Sequence, residues 1–149
     1  MKHEILGVIP ARGGSKGILH KNIRDMRGKP LIAHTIEKAK QSRYIDRLIV
    51  STDDPKIADV ARSYGAEVPF LRPAELASDS SRAIDAIKHA LETMEDLDCK
   101  RYEYIIYLEP TSPNRSVEDI DNATDLFLHS DADSLASVVE ATQYHPDRK

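Results

Sequence analysis

Ile5-Leu6-Gly7-Val8-Ile9-Pro10-Ala11-Arg12-Gly13-Gly14-Ser15-Lys16-Gly17, with Lys21-Asn22 close behind, is the stretch that decides how this chain folds. The short apolar run Ile5 to Ile9 reads as a buried strand. It empties into a glycine-rich turn, where the backbone is free to approach a ligand closely and to adopt positive φ. Successive N–H groups in such a turn form a concavity for anions. Arg12, Lys16 and Lys21 add cations at the same sheet edge, so a polyphosphate is the simplest ligand. The competing reading is a solvated basic turn whose glycines serve geometry alone.

Common phosphate loops do not fit. A Walker A loop has Lys followed by Ser or Thr after its last glycine, whereas here Lys16 precedes Gly17. The dinucleotide fingerprint needs three glycines; Gly14 and Gly17 match its end, but Arg12 stands at the first. Three fixed cations exceed what a dinucleotide pyrophosphate requires. The pattern points to a nucleoside triphosphate held for chemistry at phosphorus.

Outward from this loop, strands and helices alternate. Leu31 to Gln41 reads as a helix with Pro30 at its first turn, and Arg47 to Ser51 as a second strand. Pro55 to Tyr64 is a helix with Ile57, Val60, Ala61 and Tyr64 on one face, stopped by Gly65. Glu67 to Phe70 is expected as a short third strand. Ala83 to Glu95 carries a stripe of Ile84, Ile87, Leu91 and Met94, read as core packing. Tyr104 to Leu108 is a fourth strand. Ser116 caps a helix with carboxylates in its first turn and Val117, Ile120, Ala123, Phe127 and Leu128 inward. Asp133 to Glu140 is expected to end in a fifth strand. The pattern implies an α/β fold: a Rossmann-like, doubly wound, mostly parallel sheet. Ligands then bind beyond the carboxyl ends of the strands. The segments to read are Pro10 to Asn22, Ser51 to Asp54, Leu71-Arg72-Pro73, and Glu109 to Arg115. Asp53-Asp54 reads as a helix cap before Pro55 rather than as metal ligands.

Composition bounds the rest. The chain has 149 residues, one domain's worth. Its net charge of −4 argues against wholesale nucleic-acid binding, and with no Trp there is little for base stacking. The lone Cys99 permits no internal disulfide and is expected to be a buried or half-exposed thiol without a role. No apolar run reaches membrane-spanning length, and Met1 to Glu4 leaves no room for a signal peptide, so a cytoplasmic setting is expected. His34, His89 and His145 are weak candidates for anything beyond packing or surface. The stretch from Gln143 to Lys149 suggests a domain that is cut short.

The loop Ile9 to Gly17 with Lys21-Asn22 strongly resembles the opening signature of the acylneuraminate cytidylyltransferases, also called CMP-sialic acid synthetases. Gly28-Lys29-Pro30-Leu31-Ile32, Val50-Ser51-Thr52-Asp53-Asp54, Tyr64-Gly65-Ala66-Glu67-Val68, Leu71-Arg72-Pro73, Pro110-Thr111-Ser112-Pro113 and Asp131-Ala132-Asp133-Ser134 follow in family order. The resemblance implies transfer of CMP from CTP to the anomeric hydroxyl of a nonulosonic acid, a nine-carbon sugar acid, with release of pyrophosphate and Mg²⁺ as cofactor. It implies that Arg12 and Lys16 hold the β- and γ-phosphates, helped by Ser15 and the backbone of Ala11, Gly13 and Gly14. Lys21 would stabilise the α-phosphate, and Asn22 would fix ribose or phosphate geometry. Arg72 and the stretch Asp79-Ser80-Ser81 would contact cytosine and ribose, and Glu109, Thr111 and Ser112 the sugar. For the full-length protein a homodimer is implied as well. The chain departs from the family pattern in having Glu109 where Gln is usual, Asn114 for Leu, and Leu19-His20 for Pro-Arg. A carboxylate at Glu109 is able to bind Mg²⁺ or act as a base, and it repels a sugar carboxylate unless paired. The family runs on past the position of Lys149 and there supplies metal ligands and part of the sugar pocket. The alternative is a non-catalytic nucleotide-binding module without the acceptor and metal half of the site.

Overall fold

The computed structural model describes residues 3–14 and 17–138. Its centre is a three-stranded parallel sheet in the order β4-β1-β5. Strand β1 spans Ile5–Pro10, β4 Arg47–Ser51 and β5 Tyr104–Tyr107. β1 lies in the middle, with Gly7 level with Leu48 on one side and Ile106 on the other. Its residues Ile5 to Ile9 are all buried, as a continuous apolar run in a two-sided sheet must be.

Side chains alternate along β1 and divide the core in two. Ile9 and Ala11 pack with Leu48 and Val50 against helices α1 (Leu31–Ala39), α2 (Pro55–Ser63) and α4 (Val117–Leu128). Leu6, Val8 and Ile49 pack with Ala90 and Met94 of helix α3 (Ala83–Asp98) on the opposite face. The sheet is thus covered on both sides, the Rossmann-like α/β arrangement that the alternation of elements predicts.

Local signals account for the element ends. Asp54 caps α2 by accepting from the Lys56 N–H at 2.8 Å, and Gly65 closes it at φ +83°, a conformation that favours glycine. Ser116 and Asp119 form a reciprocal capping box on α4: the Asp119 N–H donates to Ser116 Oγ at 3.0 Å, and the Ser116 N–H to Asp119 Oδ2 at 2.8 Å.

The structure corrects several expectations. Glu67 to Phe70 is not a strand; it makes a single bridge to Ile49, with Val50 N donating to Glu67 O at 2.8 Å. Pro69 has no N–H to carry the ladder further. Residues 134–138 have no regular structure, and Leu135 and Val138 are exposed; an apolar stretch without a paired neighbour gains nothing from extension. The rest of that expected strand lies outside the described residues. In α3 the buried face is Ala86, Ala90 and Met94, while Ile84 is exposed. Small residues seat this helix on the sheet, and the larger Ile87 and Leu91 are only half-buried. Pro30 is the N-cap of α1, not a residue of its first turn. A two-residue hairpin, β2 (Asp25–Met26) with β3 (Lys29–Pro30), is an addition that the sequence pattern did not announce. Cys99 is exposed at the left-handed C-cap of α3.

Candidate active site

From β1 the chain crosses to β4 on one side and, through α2 and α3, reaches β5 on the other. The connections therefore diverge beyond the carboxyl ends of β1 and β5, where open α/β sheets bind ligands. A cleft of about 360 Å³ lies there, lined by Pro10 at the end of β1 and Tyr107 at the end of β5.

One wall is the loop after β1. Ala11 N donates to Ser51 O at 2.9 Å and Gly13 N to Asp53 Oδ1 at 2.9 Å, which ties this loop to the one after β4. A Cβ on Gly13 would sit 2.8 Å from the Asp54 side chain. Glycine is required here for close approach; neither Gly13 nor Gly14 has the positive φ that the sequence led us to expect. Gly14 is exposed with open space around it. Buried Asn22 donates from Nδ2 to Arg12 O at 3.2 Å and anchors the 3₁₀ turn Lys21–Ile23 against the loop. Lys21 is thereby aimed at the cleft, and no described residue bonds its ammonium. Ser15, Lys16 and His145 lie outside the described residues.

The floor is Arg72, only 6% exposed. Its Nε donates to Ser51 Oγ at 3.0 Å, Nη2 to Ser51 O at 2.6 Å and Nη1 to Leu76 O at 3.4 Å. Burial lowers its pKa from the usual arginine value, opposed by the nearby charge of Asp53. The guanidinium is committed to holding β4 against the 3₁₀ turn Ala74–Leu76, and it still borders the cleft. Beyond it, Ser81 Oγ donates to Glu75 O at 2.6 Å and lies in a serine turn with Ser78. Asp79, on the same turn, accepts from Arg12 Nη1 at 2.7 Å across the cleft mouth.

The far wall follows β5. Glu109 and Thr111 line the cleft, whereas Ser112 donates its N–H to Glu109 O at 3.3 Å within the turn and does not line it. Lys38 of α1 donates to Pro113 O at 2.7 Å and steadies that turn. Burial, then the charge of Glu109, raises the Tyr107 pKa. Arg115 is lowered by burial, with Glu109 acting against it.

The cleft thus gathers Arg12, Lys21, Asn22 and Arg72 with Asp79, Ser81, Glu109 and Thr111. Sequence reasoning missed Ser78, Arg82 and Tyr107. Tyr107 lies near the end of the expected strand, where it reads as structural, and Arg82 is the residue before α3; Arg82 makes a two-point contact with Asp85 at 2.8 and 3.0 Å. Among the described residues, no three His, Cys, Asp or Glu side chains are gathered as a metal site. No described helix is long and apolar enough to cross a membrane.

Fold and cleft together define a Rossmann-like α/β domain with a polar cleft beyond the carboxyl ends of its strands. The cytidylyltransferase family profile matches residues 6–146. The chain is 47% identical over 122 residues to a CMP-N,N'-diacetyllegionaminic acid synthase of Legionella pneumophila, covering 82% of this chain and 52% of that protein. It is 43% identical over 127 residues to an N-acylneuraminate cytidylyltransferase of Escherichia coli, covering 85% of this chain and 29% of that one. Among solved structures, a CMP:2-keto-3-deoxy-manno-octonic acid synthetase in complex with CTP superposes with a TM-score of 0.72 at 24% identity, over 84% of this chain and 47% of that one. The chain belongs to the cytidylyltransferase family, and it spans about half the length of the Legionella relative and less of the Escherichia one.

Proposed function

We propose that this chain is the nucleotide-binding part of a cytidylyltransferase that moves CMP from CTP to the anomeric hydroxyl of a nonulosonic acid. The observation that carries the reading is the cleft at the ends of β1 and β5, in a chain of this family, lined by Arg12 and Lys21 with buried Asn22 tying their segments together. The sugar oxygen attacks the α-phosphorus, the bond from that phosphorus to the bridging oxygen breaks, and pyrophosphate leaves. Negative charge grows on the phosphoryl and leaving oxygens, so preorganised cations supply most of the stabilisation. Lys21 faces the α-phosphate. Arg12, with Lys16, takes the β- and γ-phosphates. Arg72 holds the floor on which the base and ribose rest, and Ser81 borders the ribose. Glu109 and Thr111 form the acceptor side, with Ser112 in the turn behind them.

Magnesium in such chemistry arrives with substrate phosphates and asks for only one or two protein carboxylates. Glu109, a carboxylate on the cleft wall, would hold it, and the ion would neutralise phosphate charge there. The acceptor belongs to the group that includes N-acetylneuraminic, legionaminic and pseudaminic acids. A homodimer and a cytoplasmic setting go with this reading. A non-catalytic module is disfavoured, because the relatives carry the names of a synthase and a transferase.

Pyrophosphate release tests the proposal. The chain is incubated with Mg²⁺, each of the three sugar acids, and CTP, ATP, GTP or UTP in turn, with CTP binding followed by calorimetry. Release with CTP alone and with one acid above the others is expected. Failure to bind CTP, or equal use of all four nucleotides, would overturn it.

A further inference from the structure

Arg12 leaves the loop after β1 and meets Asp79, 67 residues later, at 2.7 Å across the cleft mouth. Both side chains are partly exposed, at 39% and 44%. The turn that carries Asp79 is braced from behind: Ser81 Oγ donates to Glu75 O, Ser78 Oγ lies 2.7 Å from Ser81 Oγ, and Arg72 reaches Leu76 O just upstream. The fold therefore delivers this carboxylate to Arg12 on a preformed turn. It does so at the edge of a cleft whose other cations include Lys21 and Arg72.

A carboxylate and a phosphate make the same demand on a guanidinium: two oxygens facing its N–H fork. Asp79 takes the Nη1 donor of this guanidinium, so a phosphate seeking the fork competes with it. We propose that Asp79 is an internal counter-ion that exchanges with substrate phosphate on Arg12. The inference rests on the reading of this cleft as the CTP site. An incoming polyphosphate, with several charges, displaces a partly exposed carboxylate whose ion pair is weak. When pyrophosphate departs, Asp79 returns to Arg12 and competes against rebinding. Asp79 thus lowers the affinity for the leaving group and aids its release. A direct ribose contact by Asp79 predicts the opposite sign, since its loss would weaken nucleotide binding.

The test is calorimetric titration of inorganic pyrophosphate and of CTP into the wild-type chain, Asp79→Asn, Arg12→Ala and the double variant, with Asp79→Ser as a second replacement should Asn fold poorly. Asp79→Asn is expected to bind pyrophosphate about three- to tenfold more tightly, and the gain is expected to vanish in the double variant. Wild-type binding of CTP with equal or weaker binding by both Asp79 variants would overturn the exchange alone. So would a gain that persists without Arg12. A wild-type chain that binds neither CTP nor pyrophosphate would overturn the proposed function, and the exchange with it.

Discussion

Lys21 and Arg72 border the same cleft but differ in what their charge is free to do. Arg72 gives three of its N–H donors to Ser51 and Leu76, so its charge acts mainly by holding two segments together. Lys21 has no bonding partner among the described residues, and it stands on a 3₁₀ turn that buried Asn22 pins to the loop. A cation held in place with its donors unspent is suited to charge that develops only during reaction. Lys21→Ala is therefore expected to lower the kcat of pyrophosphate release by about a hundredfold or more, with a smaller change in the Kd for CTP. Steady-state kinetics and calorimetry check it, and equal losses in both would assign Lys21 to ground-state binding instead.

The helices are specified largely at their ends. In α4, Ser116 and Asp119 satisfy each other's backbone N–H groups, and Ser116→Ala is expected to cost about 1 kcal/mol in urea unfolding. The Asp119 carboxyl is held below the usual carboxylate range, first by the Ser116 backbone N–H and next by interaction with its side chain. A folded-state pKa below the unfolded one means that this contribution is complete above the unfolded value of about 4 and is lost as pH falls through the folded value. Melting temperatures of wild type and Asp119→Asn should therefore differ at pH 7 and converge in acid. A gap that stays constant down to pH 2 would show that the carboxylate charge contributes nothing to the cap. Strands follow a different logic: β1 is recognised by its unbroken apolar run, whereas the segment around Glu67 fails to become a strand because of Pro69.

At the scale of the molecule, the cleft depends on ties between distant segments. Arg72 joins β4 to the turn ahead of α3, and Lys38 joins α1 to the turn after β5. At the other end of the sheet, Asp98 of α3 engages Arg47 of β4 and the Tyr102 hydroxyl. These bonds hold Asp98 below the usual carboxylate range, the Tyr102 hydroxyl first. Arg72→Leu removes the donors to Ser51 Oγ and Leu76 O and one of the two donors to Ser51 O, which keeps the Ala11 N–H. It is expected to lower stability by about 2–4 kcal/mol and to weaken CTP binding through the loosened floor. Chemical denaturation and calorimetry read the two effects separately, and wild-type stability in this variant would show that Arg72 is not a structural tie.

Much of this was legible in the residues. β4, Arg47–Ser51, follows from its apolar core, α2 from Ile57 and Ala61 with Gly65 behind them, and α4 from its capping box. The loop from Ala11 to Asn22 announced cations at a sheet edge, and the order of elements placed the other wall after β5. These signals are local, because periodicity, capping and turn chemistry act over a few residues. The sequence by itself thereby determined the α/β class, most of the elements, and the sheet rim at which the polar cleft opens. It did not carry the inward face of α3, which depends on how closely the helix meets the sheet, nor the hairpin at Asp25–Pro30, whose two-residue strands have no period. Only the tertiary structure decided that Arg72 is buried as a tie and that Arg12 meets Asp79. Both outcomes depend on the reach of long side chains between segments that are brought together only when the sheet is assembled.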